Sequence, residues 1–329
     1  VNDLIVSAKI DPARTLRIQR RFFDGKAVVE SIDIEFRSGD HTVAEATATY
    51  FARQSDRLRV EGISTEKVNT LYELKLTSSA ELIAGVRALE SGQLFHDPYA
   101  DKMAGQHGMA MASRFCERTP QLGGMVAART KHLDEALLNY LRAGGRDVVI
   151  VGAGWDMRPF RLDVPNGTRF YELDFPTTLT ERANRLRQLN VTDPPGVERI
   201  PVPVDVRTMP LSEVMARNLS DHSPVFVIWE GMCMYFEEEE VLKVLRGMVP
   251  LLEHPHSVLW MDLVDRVAIE HPGRISPSVE NFMRGMQVLG EPFTFGTDSP
   301  AELLGQVGMQ PMNVTRHAWL ASGLPHEVA

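Results

Sequence analysis

Apolar and polar residues alternate along the first part of the chain with a period of two. In KAVVESIDIEF, Ile32, Ile34 and Phe36 fall on one face and Asp33 and Glu35 on the other; in HTVAEATATYFA, Ala44, Ala46, Ala48 and Tyr50 oppose Glu45, Thr47 and Thr49. With ARTLRIQRRFF ahead of them and the turns Asp24-Gly25 and Ser38-Gly39-Asp40 between, these segments predict an antiparallel sheet over residues 1–60. The polar stretch Arg53 to Thr70 predicts a domain boundary. The period then lengthens. Leu82, Ile83, Val86 and Leu89 recur at helical spacing in SSAELIAGVRALES, and MVAARTKHLDEALLNYLRAGG predicts a second amphipathic helix that stops at Gly144-Gly145.

From DVVIV onward the pattern changes again. Short apolar runs, DVVIV, TRFYELDF, ERIPVPVDV, SPVFVIWE and SVLWMDLV, alternate with helical segments such as TTLTERANRLRQL and EEEEVLKVLRGMVPLLE. Continuous apolar strands are the signature of a parallel sheet covered on both faces, so residues 130–265 predict a doubly wound α/β fold.

Composition narrows the function. Of 329 residues, 43% are hydrophobic and 24% charged, which is globular composition. The 35 basic residues against 44 acidic ones give a net charge of -9, so the chain lacks the field that a nucleic-acid backbone demands. Two cysteines are too few for a disulfide framework or a cysteine zinc site, and a reducing cytoplasm is the expected location. No apolar run approaches the roughly 18 residues of a membrane span, and VNDLIVSAKIDPAR lacks the form of a signal peptide; no membrane partner is expected.

Candidate chemistry sits at strand ends. DVVIV runs into Gly152-Ala153-Gly154, where missing side chains admit a ligand to the backbone. Met157 occupies the place of the third glycine in the dinucleotide pattern, which disfavours NAD. Asp174 ends the next strand, 20 positions after Gly154, the spacing of an acid that accepts from ribose hydroxyls; a helix cap is its other reading. Asp205 ends a third strand, where it suits an adenine amino group with Val206 against the ring, and Glu230 ends a fourth. Glycines and carboxylates at one sheet edge, without a phosphate clamp, suit S-adenosyl-L-methionine, a sulfonium nucleoside. Its carboxylate needs a cation, and Arg129, on the helix before the first parallel strand, can supply a bidentate one; on position alone a solvated helix-face charge is the stronger reading. His254-Pro255-His256 is not expected to bind metal, the acid run Glu237 to Glu240 reads as a helix start, and the fifteen methionines as core and pocket filler.

In this order, RTKHLDEALLNYL, VVIVGAGWDMRPFRL, YELDFP, VPVDVR and WEGMCMYF resemble the leucine carboxyl methyltransferase superfamily, which includes bacterial polyketide and small-molecule O-methyltransferases. TSSAELIAGVRALESGQLFHDPYAD is similar to the family's helical lid and LGEPFTFGTDSPAELLGQVGM to its closing segment, so the resemblance spans about residues 70–320. It implies a Rossmann-like class I methyltransferase domain over 70–329 with a lid over 70–130. S-adenosyl-L-methionine is the implied cofactor, held by Arg129, Gly152, Gly154, Asp174, Asp205, Val206 and Glu230. Tyr235 matches a tyrosine near the acceptor pocket and is a candidate for orienting the acceptor oxygen.

Residues 1–60 resemble instead the carboxyl-terminal half of a hot-dog acyl-CoA thioesterase, through VVESIDIEFRSGDHTVAEATATYFAR. The central helix and catalytic acid of that fold have no counterpart here, and the chain begins at Val1, as expected of a truncated fusion; a sheet peculiar to this methyltransferase is the other reading. The reading is therefore an O-methyltransferase acting on a small carboxylic acid or phenol, with an amino-terminal β fragment through which a homo-oligomer could form. A hot-dog thioesterase module fused to a non-catalytic methyltransferase-like domain is the alternative. A carboxylate acceptor needs no base; for a hydroxyl, His96 and His222 are the candidates.

Overall fold

The computed structural model describes residues 4–9, 28–38, 41–52, 79–216, 218–219 and 223–315. The chain divides into two compact units, Val1–Leu76 with Arg284–Pro292, and Thr77–Met283 with Phe293–Ala329.

In the first unit β1 (Leu4–Lys9), β2 (Val28–Ser38) and β3 (His41–Ala52) form an antiparallel sheet in that order. The register pairs Ile32 with Ala48, Ile34 with Ala46 and Phe36 with Ala44, so the apolar positions predicted for each strand share one face, and Asp33 and Thr47 share the other. The ladder shifts register between Phe36 and Arg37. β1 is an element that the alternation did not predict. The predicted strand ARTLRIQRRFF and the boundary at Arg53 to Thr70 lie outside the described residues.

The second unit opens with α1 (79–90), α2 (Ala100–Arg118) and α3 (Gln121–Arg142). β4 (Asp147–Val151), α4 (Arg158–Arg161), β5 (Thr168–Asp174), α5 (Pro176–Gln188), β6 (Val197–Pro203), α6 (Leu211–Met215), β7 (Val225–Trp229), α7 (Glu238–Met248) and β8 (Val258–Met261) then alternate. The last helices are α8 (Arg266–Glu270), α9 (Pro272–Ile275), α10 (Pro277–Leu289) and α11 (Pro300–Gly305). The five parallel strands take the order β6-β5-β4-β7-β8. The chain thus leaves β4 in one direction and returns to its other side at β7, which opens a crevice at the carboxyl ends of these two strands.

Alternate residues of the central strands feed two cores. Val149, Val151, Tyr171, Leu173, Val227 and Trp229 pack against α6 and α7, while Val148, Ile150, Phe170, Phe226 and Ile228 meet Leu133, Leu137 and Leu141 of α3. β4 and β7 are buried along their whole length, as continuous apolar runs predict. β6 and β8 are only partly buried, because as edge strands they have a neighbour on one side alone. A third cluster joins Ala84 of α1 and Met103 and Ala104 of α2 to Trp155 and Met157 in the turn after β4. α1 and α2 cross at backbone contact: a Cβ on Gly85 would lie 2.6 Å from the carbonyl oxygen of Gly108, and one on Gly108 2.6 Å from that of Glu81.

Candidate active site

The turn after β4 needs the glycines it carries. Gly152 has φ +75° and a Cβ there would meet Met232 Sδ at 2.6 Å; Gly154 has φ +41°. Asp174, at the end of β5, reaches across to this turn. One of its carboxylate oxygens accepts the Gly154 amide at 2.8 Å and the other the Phe175 amide at 2.7 Å. The 20-residue spacing read from the sequence is therefore a direct contact; Phe175, not Asp174, is the N-cap of α5, and a carboxylate that accepts two amides keeps lone pairs for further donors. Burial raises the Asp174 carboxyl above its ordinary range, against the opposing pull of these amides and the Thr178 hydroxyl.

Asp205 follows β6 and is held by its neighbour. Arg207 donates to it from Nε at 2.9 Å and from Nη2 at 2.7 Å, outweighing burial and lowering its pKa. A base amino group would share that carboxylate with a guanidinium, a competitor the sequence reading did not include. Val206 is buried.

Glu230 ends β7 among buried charges. Arg158 Nη1 donates to it at 2.7 Å, and Arg129 Nε lies 2.9 Å away as an ion pair whose N–H is not aligned on the oxygen. Burial alone would raise the Glu230 carboxyl; Arg158, Arg129 and Arg87 together hold it below its ordinary value. Arg129 is itself buried and also donates to Asp262 at 2.9 Å, so its guanidinium spans two strand-end acids. Tyr235 lies in a 3-10 turn, Cys233–Tyr235, beside the same edge, and packs edge-on against Phe293. Phe293 meets Phe282 of α10, which meets Phe115 of α2, so an aromatic chain runs from Tyr235 to α2.

Sequence reasoning passed over several residues here. Asp262 follows β8 and accepts the amide of Gly231 at 2.7 Å, which makes a fifth strand end that delivers a glycine or an acid to this edge. The rule that found Asp174, Asp205 and Glu230 would have found it in SVLWMDLV. Arg158 is wholly buried and binds Asp134 at 2.7 Å and Asp156 at 2.6 Å as well as Glu230. Only the charged string DMRPFR beside the glycines hinted at it. Of the other candidates, His96 is exposed in the segment between α1 and α2, and His222 lies outside the described residues. Glu237 to Glu240 start α7, with Glu240 reaching back to the Glu237 amide at 3.0 Å. His254 accepts the His256 amide at 3.1 Å in a turn, and no group of three or more potential metal ligands occurs among the described residues.

The crystal structure of a "putative methyltransferase" from Thermobifida fusca superposes with a TM-score of 0.51 at 17% identity, over 76% of this chain and 87% of that one, and so shares the fold. A "Putative S-adenosyl-L-methionine-dependent methyltransferase" of Streptomyces coelicolor is 36% identical over 169 residues, 48% of this chain and 59% of that protein. A Streptomyces avermitilis protein of the same description is 33% identical over 201 residues, 58% of this chain and 70% of its own length. The chain thus spans about three fifths of the first of these relatives. The leucine carboxyl methyltransferase family model matches residues 80–249, which include β4 to β7 and their strand-end residues and leave out the amino-terminal strands with their hot-dog resemblance. With the fold, the strand-end acids and this match in agreement, the chain belongs to the leucine carboxyl methyltransferase family.

Proposed function

We propose that the protein is an S-adenosyl-L-methionine-dependent methyltransferase that methylates an oxygen of a small molecule, a carboxylate or a hydroxyl. The observation that carries this reading is the convergence of Gly152, Gly154, Asp174, Asp205, Glu230 and Asp262 on one edge of the sheet, beside a turn in which Gly152 has φ +75°, a conformation that side-chain-bearing residues rarely adopt. These residues fit the cofactor: Asp174 for the ribose, Asp205 and Val206 for the base, Arg129 and Glu230 for the amino-acid head. When bound, the cofactor supplies an activated methyl group.

The residues of the chain supply the rest. Glycine backbone and Asp174 fix the nucleoside, and Arg129 pairs with its carboxylate in exchange for one of its two present acids. α1 to α3 form the second wall, which excludes water from an in-line displacement that depends on alignment. Tyr235 orients the acceptor oxygen. A carboxylate acceptor arrives ionised and needs no base, so no proton acceptor is required of the chain in that case.

The test has two arms. S-adenosylhomocysteine should bind by calorimetry, NAD should not, and Asp174→Ala should weaken binding by roughly 1 to 3 kcal/mol through lost hydrogen bonds to a charged acceptor. Unchanged affinity in that variant overturns the placement. A labelled-methyl screen against carboxylic acids and phenols, followed by base, then separates the acceptors: methyl esters lose the label and methyl ethers keep it.

A further inference from the structure

Three consecutive carbonyls of the turn after β4, those of Gly154, Trp155 and Asp156, are each met by a buried arginine. Arg182 of α5 donates from Nη1 to the Gly154 carbonyl at 3.0 Å and from Nη2 to that of Asp156. Arg87 of α1 donates from Nη2 to the Trp155 carbonyl at 2.7 Å. Both side chains are almost wholly buried, at 6% exposure for Arg87 and 1% for Arg182. Each arginine has a carboxylate behind it: Glu172 of β5 accepts from Arg182 at 2.7 Å, and Asp97 lies 3.8 Å from Arg87. From the other side, Asp174 holds the Gly154 amide.

We propose that Arg87 and Arg182 are positioning residues that clamp the carbonyls of Gly154, Trp155 and Asp156, so that the cover helix α1 and α5 together set the backbone presented to the cofactor. The proposal rests on the methyltransferase reading for its ligand, but the clamp itself is made by the chain alone. Its physical basis is that a buried carbonyl left without a donor costs free energy, so the turn keeps this backbone shape only while its carbonyls keep their donors. Arg182 serves two carbonyls two residues apart, which a planar guanidinium fork spans and an ammonium point donor does not. Arg87 serves one, which either can serve. Neither touches the ligand; Arg87 acts through Trp155, and thereby ties the position of the cover to the shape of the site.

The two roles predict an asymmetry. Ligand-free protein is followed by hydrogen exchange at the amides of Gly152, Ala153, Gly154 and Asp156, all of which are hydrogen-bonded within the site. Arg87→Met and Arg182→Met should exchange these about tenfold faster, the scale of losing a hydrogen bond to a charged donor. Arg87→Lys should restore protection and Arg182→Lys should not. S-adenosylhomocysteine affinity by calorimetry should follow the same order, with about tenfold weakening in Arg87→Met. Lower thermal stability with unchanged loop exchange and unchanged affinity overturns the proposal, as does equal rescue by lysine at both positions. If Arg182→Met does not fold because Glu172 loses a partner, the Arg87 pair decides alone. If the parent protein itself does not bind S-adenosylhomocysteine, the functional reading falls, while the exchange data still decide the clamp.

Discussion

At the scale of residues, the site rests on charges that the fold buries in sets. Asp156 is the clearest of them: burial pushes its carboxyl up, but Arg158, Arg87 and Arg161 prevail and hold it down to about 2. A carboxylate with a depressed folded pKa contributes stability that is present above its unfolded value, near 3.9, and is lost as the pH falls toward the folded one, here roughly 2 kcal/mol. Asp174 and Asp262 act with the opposite sign, since burial raises both and favours their protonated forms in the folded chain. Asp156→Asn should cost about 3 kcal/mol at neutral pH, the low end for breaking a buried pair, because Asp134 and Glu230 remain on Arg158. Urea denaturation from pH 7 down to about 2 should also show a shallower acid limb in the variant than in the parent. Parallel curves would mean that Asp156 is not held ionised by its arginines.

At the scale of elements, the helical cover and the sheet meet through α3. Its Arg129 bridges Glu230 after β7 and Asp262 after β8, and a planar fork suits two acids on adjacent strands better than an ammonium does. Arg129→Ala should weaken S-adenosylhomocysteine binding by roughly 2 kcal/mol, with Arg129→Lys between it and the parent. If both variants bind and turn over as the parent does, Arg129 is a tie between α3 and the sheet and nothing more. Where each element begins was largely legible. Gly144, at φ +104°, follows the end of α3 at the glycine pair where the sequence stops that helix, and Pro176 opens α5 directly after its N-cap Phe175. What periodicity could not show was which strands lie at the edges: ERIPVPVDV and SVLWMDLV read like the central strands, yet β6 and β8 close the sheet and stay half exposed.

At the scale of the whole molecule, every residue placed at the site lies within Thr77–Met283, in the second of the two units. A chain shortened to begin at Leu71 should therefore bind S-adenosylhomocysteine as the full chain does; loss of binding in folded protein, judged by circular dichroism, would assign the amino-terminal sheet to the catalytic unit. No helix among the described residues is long and apolar enough to cross a membrane. The sequence by itself determined the alternation of strands and helices, the faces of β2 and β3, and the strand-end positions of Gly152, Asp174, Asp205 and Glu230, because these follow from period and spacing along one segment. It could not determine what those side chains meet. Arg129 on Glu230 and Asp262, Arg158 on three acids, Arg207 on Asp205, and Arg87 and Arg182 on the carbonyls of the turn became visible only in the tertiary structure. An arginine on a helix has the same local signature whether it faces water or a buried carboxylate, and only the packing of distant segments removes the water and supplies the partner.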